Sequence, residues 1–278
     1  MKNLRVLVVG LKERDAGKTT VARALLLCLQ ERQIMACGFK PKAGNTIWYD
    51  YDIVYEALSQ GRLYGKDSKL LRDASGTNPP EELINPIHRL WTIPLYHIKR
   101  DLTTLPYFIV DRATRWGEET KETVVVNDTL PFRHGREKLV AKLYKPETEV
   151  VHVKTLRELN EIVDMRYNEA VKLAHKRIMT EHDAFVYESY ADIALPWIGI
   201  RDLDMVLAVH PGYIYAYDPD KYLSALDLSI NLLQEERTEN VVNLLKPIKT
   251  VKVPPYRSKK IVKEIKRKLH LVLKTDLL

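Results

Sequence analysis

Residues Gly17, Lys18 and Thr19 stand where a short apolar run, Arg5 to Val9, gives way to leucine and alanine at helical spacing from Thr19 to Arg32. Each of the three types has a use against a phosphate chain. A glycine lets backbone N–H groups approach phosphate oxygens, a lysine reaches β and γ phosphates, and a hydroxyl at a helix N-terminus binds magnesium. The window K-E-R-D-A-G-K-T from Lys12 to Thr19 keeps the nucleotide-touching half of the G-x-x-x-x-G-K-[ST] pattern. Lys12 stands where the first glycine belongs, and Gly10 lies two residues earlier. Strand, loop and helix fall where the chemistry needs them, which a chance GKT in an ordinary turn does not require. Asp15, Ala16 and Thr20 complete the expected nucleotide-binding loop.

Two more residues have suitable chemistry. Lys40, followed by Pro41, comes after a strand candidate at Met35 to Phe39 and would add a second ammonium facing phosphate, although Lys-Pro also reads as a surface turn. Glu188 closes the run DAFVYE, where a carboxylate would meet magnesium from the side of a sheet. A solvated strand end is an equally good reading.

The elements that must position these groups read as α/β. Arg5–Val9, Met35–Phe39, Ala184–Tyr187 and Met205–Val209 are buried-strand candidates, with a shorter one at Thr250–Val253. Residues 50–75 read as two helical pieces broken near Gly61 and Gly65, and Thr155 to Thr180 as one long amphipathic helix. Between Ile98 and Val153 the pattern turns to period two in PYFIV, ETVVV and KLVAKLY, with turn signals between. The expected organisation is a P-loop domain over 1–97 and 155–278, three-layer and doubly wound around a mainly parallel sheet, with a β-rich insert at 98–154.

Composition narrows the classes. No apolar run approaches the roughly 18 residues of a membrane span, and MKNLRVLVVG leads straight into the loop as a first strand, so a cytoplasmic protein is expected. Cys28 and Cys37 lack metal or redox spacing and read as reduced core residues. Abundant Lys and Glu with scarce Gln point weakly to a heat-adapted source. From Lys246 to Leu278 eleven Lys or Arg face only Glu264 and Asp276, which leaves the rest of the chain near neutral within a formal +7. This tail reads as a solvated amphipathic helix, or as a footprint for nucleic acid or acidic lipid. Tyr213, Tyr215 and Tyr217 read as a half-exposed strand edge, His182 and His210 as structural, and Arg112 and Arg115 as parts of a solvated hairpin.

Taken together, these landmarks resemble the dethiobiotin synthetases among the P-loop ATPases. That family opens with a strand and G-T-D-x-x-x-G-K-T, where this chain has GLKERDAGKT, one residue longer. GFKPKAG from Gly38 corresponds to the family's G-x-K-P-V, Asp67 before Asn85-Pro86 to its Ser-Asp helix start and N-P turn, and DAFVYESYADIALP to its D-x-x-x-x-E strand with a proline eight residues on. The resemblance covers roughly 1–97 and 155–212. It implies that Lys18 and Lys40 hold phosphate and developing charge, and that Thr19, Asp67 and Glu188 serve magnesium directly or through water.

Departures from the family concern the acceptor. Its serine after Lys-Pro falls at Gly44, its glycine-rich loop is Ser189-Tyr190-Ala191-Asp192, its adenine-reading asparagine strand has no counterpart, and the insert is extra. No N-K-x-D guanine motif occurs, so ATP is expected by default. The expected activity is magnesium-dependent ATP γ-phosphoryl transfer or hydrolysis, on a small acceptor or water. A nucleotide switch acting on a protein and a nucleic-acid-associated ATPase remain as alternatives, and a homodimer stays open.

Overall fold

The computed structural model describes residues 4–93, 104–130, 133–229, 235–255 and 259–269. Along the chain come β1 (Leu4–Gly10), α1 (Lys18–Glu31), β2 (Ala36–Phe39), β3 (Lys42–Thr46), α2 (Tyr51–Ser59), α3 (Lys66–Ser75), α4 (Glu81–Ile84), β4 (Ile87–Trp91), β5 (Phe108–Trp116) and β6 (Thr120–Asn127). Then follow α5 (Arg133–Val140), β7 (Glu149–Val153), α6 (Leu156–Ile162), α7 (Asn168–Glu181), β8 (Ala184–Glu188), β9 (Met205–His210), β10 (Tyr213–Tyr217), α8 (Pro219–Leu228), α9 (Thr238–Val242), β11 (Lys249–Lys252) and α10 (Lys259–Leu269). No helix among the described residues is long and apolar enough to cross a membrane.

The chain divides into two compact α/β units. The first takes Met1–Pro41, Leu70–Pro80 and Ile178–Leu278, and the second Lys42–Lys69 and Glu81–Arg177. The expected insert, 98–154, lies within the second unit, which also takes in β3, α2, α4 and β4.

In the first unit six strands lie in the order β11-β10-β9-β1-β8-β2. The four from β9 to β2 are parallel, and β10 and β11 add on antiparallel. Central β1 is buried on both faces, which is why LRVLVVG is an unbroken apolar run rather than an alternating one. Each fully buried Val or Leu there contributes about 1.5–3 kcal/mol. Helix α1 turns Val21, Leu25, Leu26 and Leu29 inward and touches β1, β2 and β8. Gly38 in β2 admits a close neighbour: a Cβ there would lie 3.0 Å from that of Leu71, while its N–H donates to Ser75 Oγ at 3.0 Å.

The second unit has its own mixed sheet, β3-β4-β5-β6-β7, over a core that includes Val54, Leu63, Leu90, Val110, Val124 and Val140. Arg112 is buried inside it, donating to the carbonyls of Leu63 at 2.8 Å, Pro86 at 3.2 Å and Asn85 at 2.6 Å and to Thr114 Oγ1 at 2.5 Å. This corrects the solvated-hairpin reading. A guanidinium has five donors, and here four bonds to neutral oxygens tie loop to strand. Arg115 is half-buried and faces Glu149 and Glu169.

Three other expectations change. KLVAKLY is helical, in α5 and the 3₁₀ turn Ala141–Leu143, because Val140 and Leu143 bury together three residues apart. The third insert strand is instead β7. The helix expected from 155 to 180 is broken by a π turn at Val163–Tyr167, where buried Tyr167 donates its hydroxyl to Asp111 Oδ2 at 2.6 Å. Strand β10 is no edge: β11 covers it, Tyr213 and Tyr215 stack 5.9 Å apart, and Tyr217 is buried.

Candidate functional site

Three parallel strands of the first unit, β1, β8 and β2, end side by side, and the residues with phosphate chemistry stand just past those ends. After β1 the chain makes an exposed loop and enters α1 through Gly17, whose φ of 96° lies in the region that favours glycine. Asp15 also has a positive φ, 53°, a conformation that Asp tolerates better than most side chains. Ala16 is buried, and Thr20 occupies the first turn of α1.

The polar groups converge on one carboxylate. Glu188 is fully buried, and its Oε1 accepts from Thr19 Oγ1 at 2.7 Å and from Lys40 Nζ at 2.7 Å. Lys40, only 5% exposed, is therefore in a buried ion pair and not in a surface turn, because β2 runs parallel to β8 and delivers it beside the strand's end. Such a pair costs desolvation of both ions and is retained only with good geometry.

Lys18 is buried as well, and its ammonium donates to the Ala191 carbonyl at 2.5 Å. It lies over Gly10: a Cβ built there would be 2.8 Å from Lys18 Nζ and 3.1 Å from the Lys12 carbonyl oxygen. Gly10 thus provides close backbone approach although the motif's usual first glycine is Lys12. The signal was available in the sequence, since Gly10 is the last residue of the apolar run. Ala191 has φ +43°, so the loop after β8 takes a glycine-like backbone even where the sequence has Ser189-Tyr190-Ala191-Asp192. Ser189 fixes that loop with its N–H on the Val8 carbonyl at 3.0 Å and its hydroxyl on the Ile193 carbonyl at 2.5 Å.

Asp67 sits in the first turn of α3, in the second unit. Asp50 precedes α2 and accepts from the Thr46 N–H at 2.9 Å, and Asp52 is exposed. His182 bonds Thr77 Oγ1 at 2.7 Å and the Ile178 carbonyl at 3.0 Å, a structural pairing. Cys37 is a core thiol pushed up to about 12 by burial, and Cys28 is partly buried with its thiol also raised by burial. Among the described residues no group of three or more His, Cys, Asp or Glu could hold a metal ion.

A scan against protein-family models and a search of curated proteins return no significant match.

Proposed function

We propose that the protein is a magnesium-dependent P-loop ATPase whose nucleotide machinery, in a three-layer doubly wound domain, resembles that of dethiobiotin synthetase. The observation that carries this reading is the convergence of Lys18, Thr19, Lys40 and Glu188 at the ends of β1, β2 and β8, with glycines at Gly10 and Gly17.

The residues present fit magnesium ATP. The donor set is two ammoniums, a hydroxyl and one carboxylate, and magnesium accepts one or two protein oxygens while keeping phosphate and water for the rest. The lack of a three-acid cluster among the described residues is therefore compatible with that ion. Lys18 and the N-terminus of α1 would hold the phosphate chain, Lys40 the terminal phosphate, and Thr19 with Glu188 the metal, directly or through water. Once bound, the nucleotide supplies a phosphoryl group whose transfer spreads negative charge over its oxygens.

The chain's own part is electrostatic. Lys18 would exchange the Ala191 carbonyl for phosphate oxygen, and Lys40 would exchange Glu188. Both ammoniums are buried before ligand arrives, so little reorganisation is needed when charge develops. Thr19 donates its proton to Glu188, which leaves its oxygen lone pairs available to a cation. The acceptor is a small carboxylate or carbamate, or water. ATP is preferred to GTP because no guanine motif occurs.

Calorimetric titration of the full chain tests the binding step. ATP should bind with magnesium and weaken strongly when EDTA removes it. No heat with either ATP or GTP, at protein concentrations suited to micromolar affinity, contradicts the proposal.

A further inference from the structure

The last described part of the basic segment, helix α10, is built into the first unit. Helix α10 turns Val262, Ile265 and Leu269 inward and packs on α1, while the Cys28 thiol approaches the Lys266 carbonyl at 3.9 Å. Lys266 is paired with Glu31 of α1, and Lys268 Nζ donates to the Lys252 carbonyl at 2.8 Å, which ties α10 to edge strand β11. Only one acid lies on α10 itself, Glu264, and it is occupied by Arg267 and Lys268.

What α10 leaves outward is cationic. Lys260, Lys263 and Arg267 recur at i, i+3 and i+7, so they share one helix face, and all three are exposed. Together with exposed Arg32 from the end of α1 they line a cleft of about 620 Å³ between the two helices, where the cations outnumber the two acids, Glu31 and Glu264, that also line it. Lys249 and Lys252 on β11 are exposed too.

We propose that this face binds the phosphodiester backbone of nucleic acid, without reading sequence. The case against a membrane surface is physical. A helix that lies in a lipid interface inserts its apolar stripe among acyl chains, and the stripe of α10 is already consumed against α1. What remains is charge held on a rigid support, which suits a polyanion that is bound by neutralising phosphates and releasing counterions. The face lies at the far end of α1 from Lys18, about 20 Å away for 14 residues at 1.5 Å each, so it is separate from the proposed nucleotide site.

Fluorescence anisotropy of the full chain with a labelled 24-base-pair DNA duplex, and with the matching RNA duplex, measures the contact as a function of salt. The triple variant K260Q/K263Q/R267Q should bind at least one duplex about tenfold or more weakly than wild type at 50 mM salt. Its salt slope, log affinity against log salt, should be shallower by about 2.7, three contacts at 0.9 each. The triple variant K154Q/K172Q/K176Q removes as many exposed charges from the second unit and should bind as wild type does. Circular dichroism and ATP turnover, expected unchanged in both variants, separate a lost contact from a lost fold. Should the α10 variant fail to fold, charge reversal at exposed Lys249 and Lys252 is the second variant, with the same expected loss. Equal affinities and slopes in the two triple variants overturn the proposal. So does wild-type binding to phosphatidylserine vesicles with no binding to either duplex.

Discussion

Lys18 and Gly10 make a matched pair: the ammonium lies where a methyl group on residue 10 would have to go. Gly10→Ala should therefore displace Lys18 without unfolding the chain, because the contact at 2.8 Å is with the tip of a flexible side chain. The expected outcome is a loss of turnover approaching the roughly 10²–10³-fold that removal of one electrostatic donor produces, with little change in the urea midpoint. Lys40 behaves differently. Its removal leaves Glu188 buried without its ammonium, a situation that costs about 3–5 kcal/mol, so Lys40→Ala should lower stability in urea melts as well as activity. An unchanged midpoint for Lys40→Ala would mean that the pair contributes nothing to the fold. Of these residues, Lys18 and Thr19 were legible from the G-K-T turn between strand and helix, and Lys40 and Glu188 because each sits at the end of an apolar run. The part played by the Ala191 carbonyl was not, since a positive φ on an alanine leaves no mark on residue type.

Among the elements, strands that are β-branched and buried on both faces could be read directly, as β1, β8 and β9 were. Strands β3 (KAGNT) and β4 (IHRLW) could not. One is polar and glycine-bearing, the other mixed, and only pairing inside a sheet makes either a strand. The π turn at Val163–Tyr167 was hidden for a related reason: what calls for it is burial of the Tyr167 side chain and its bond to Asp111, an acid far away in sequence. These misses have an experimental consequence. Excising 98–154 removes β5, β6 and β7 and strips β4 of the partner it holds from Ile87 to Trp91. The excised chain should therefore leave the core around Leu63 and Leu90 open and bind a hydrophobic dye such as ANS far more strongly than wild type. Wild-type dye binding by a monomeric excision variant would show that 98–154 is separable from the rest of the second unit.

For the molecule as a whole, the two-unit division matters more than the linear one the sequence suggested. Thr19, Lys40 and Glu188 belong to the first unit, as do the Lys18 ammonium and the basic face on α10, while the second unit carries a separate core and buried Arg112. Alternation of strands and helices was visible from composition and spacing, but not that β3 and β4 join β5 rather than β1, because discontinuous units are defined by contacts between distant segments. The proposed function requires that the groups around Gly17 act on ATP phosphate. The most direct measurement is phosphate release from magnesium ATP by the full chain, compared with a Lys18→Ala variant shown to be folded by circular dichroism, with candidate small carboxylates added as acceptors. On that reading, magnesium-dependent turnover in wild type falls about 10²–10³-fold in the variant. Equal turnover in the two folded proteins contradicts it.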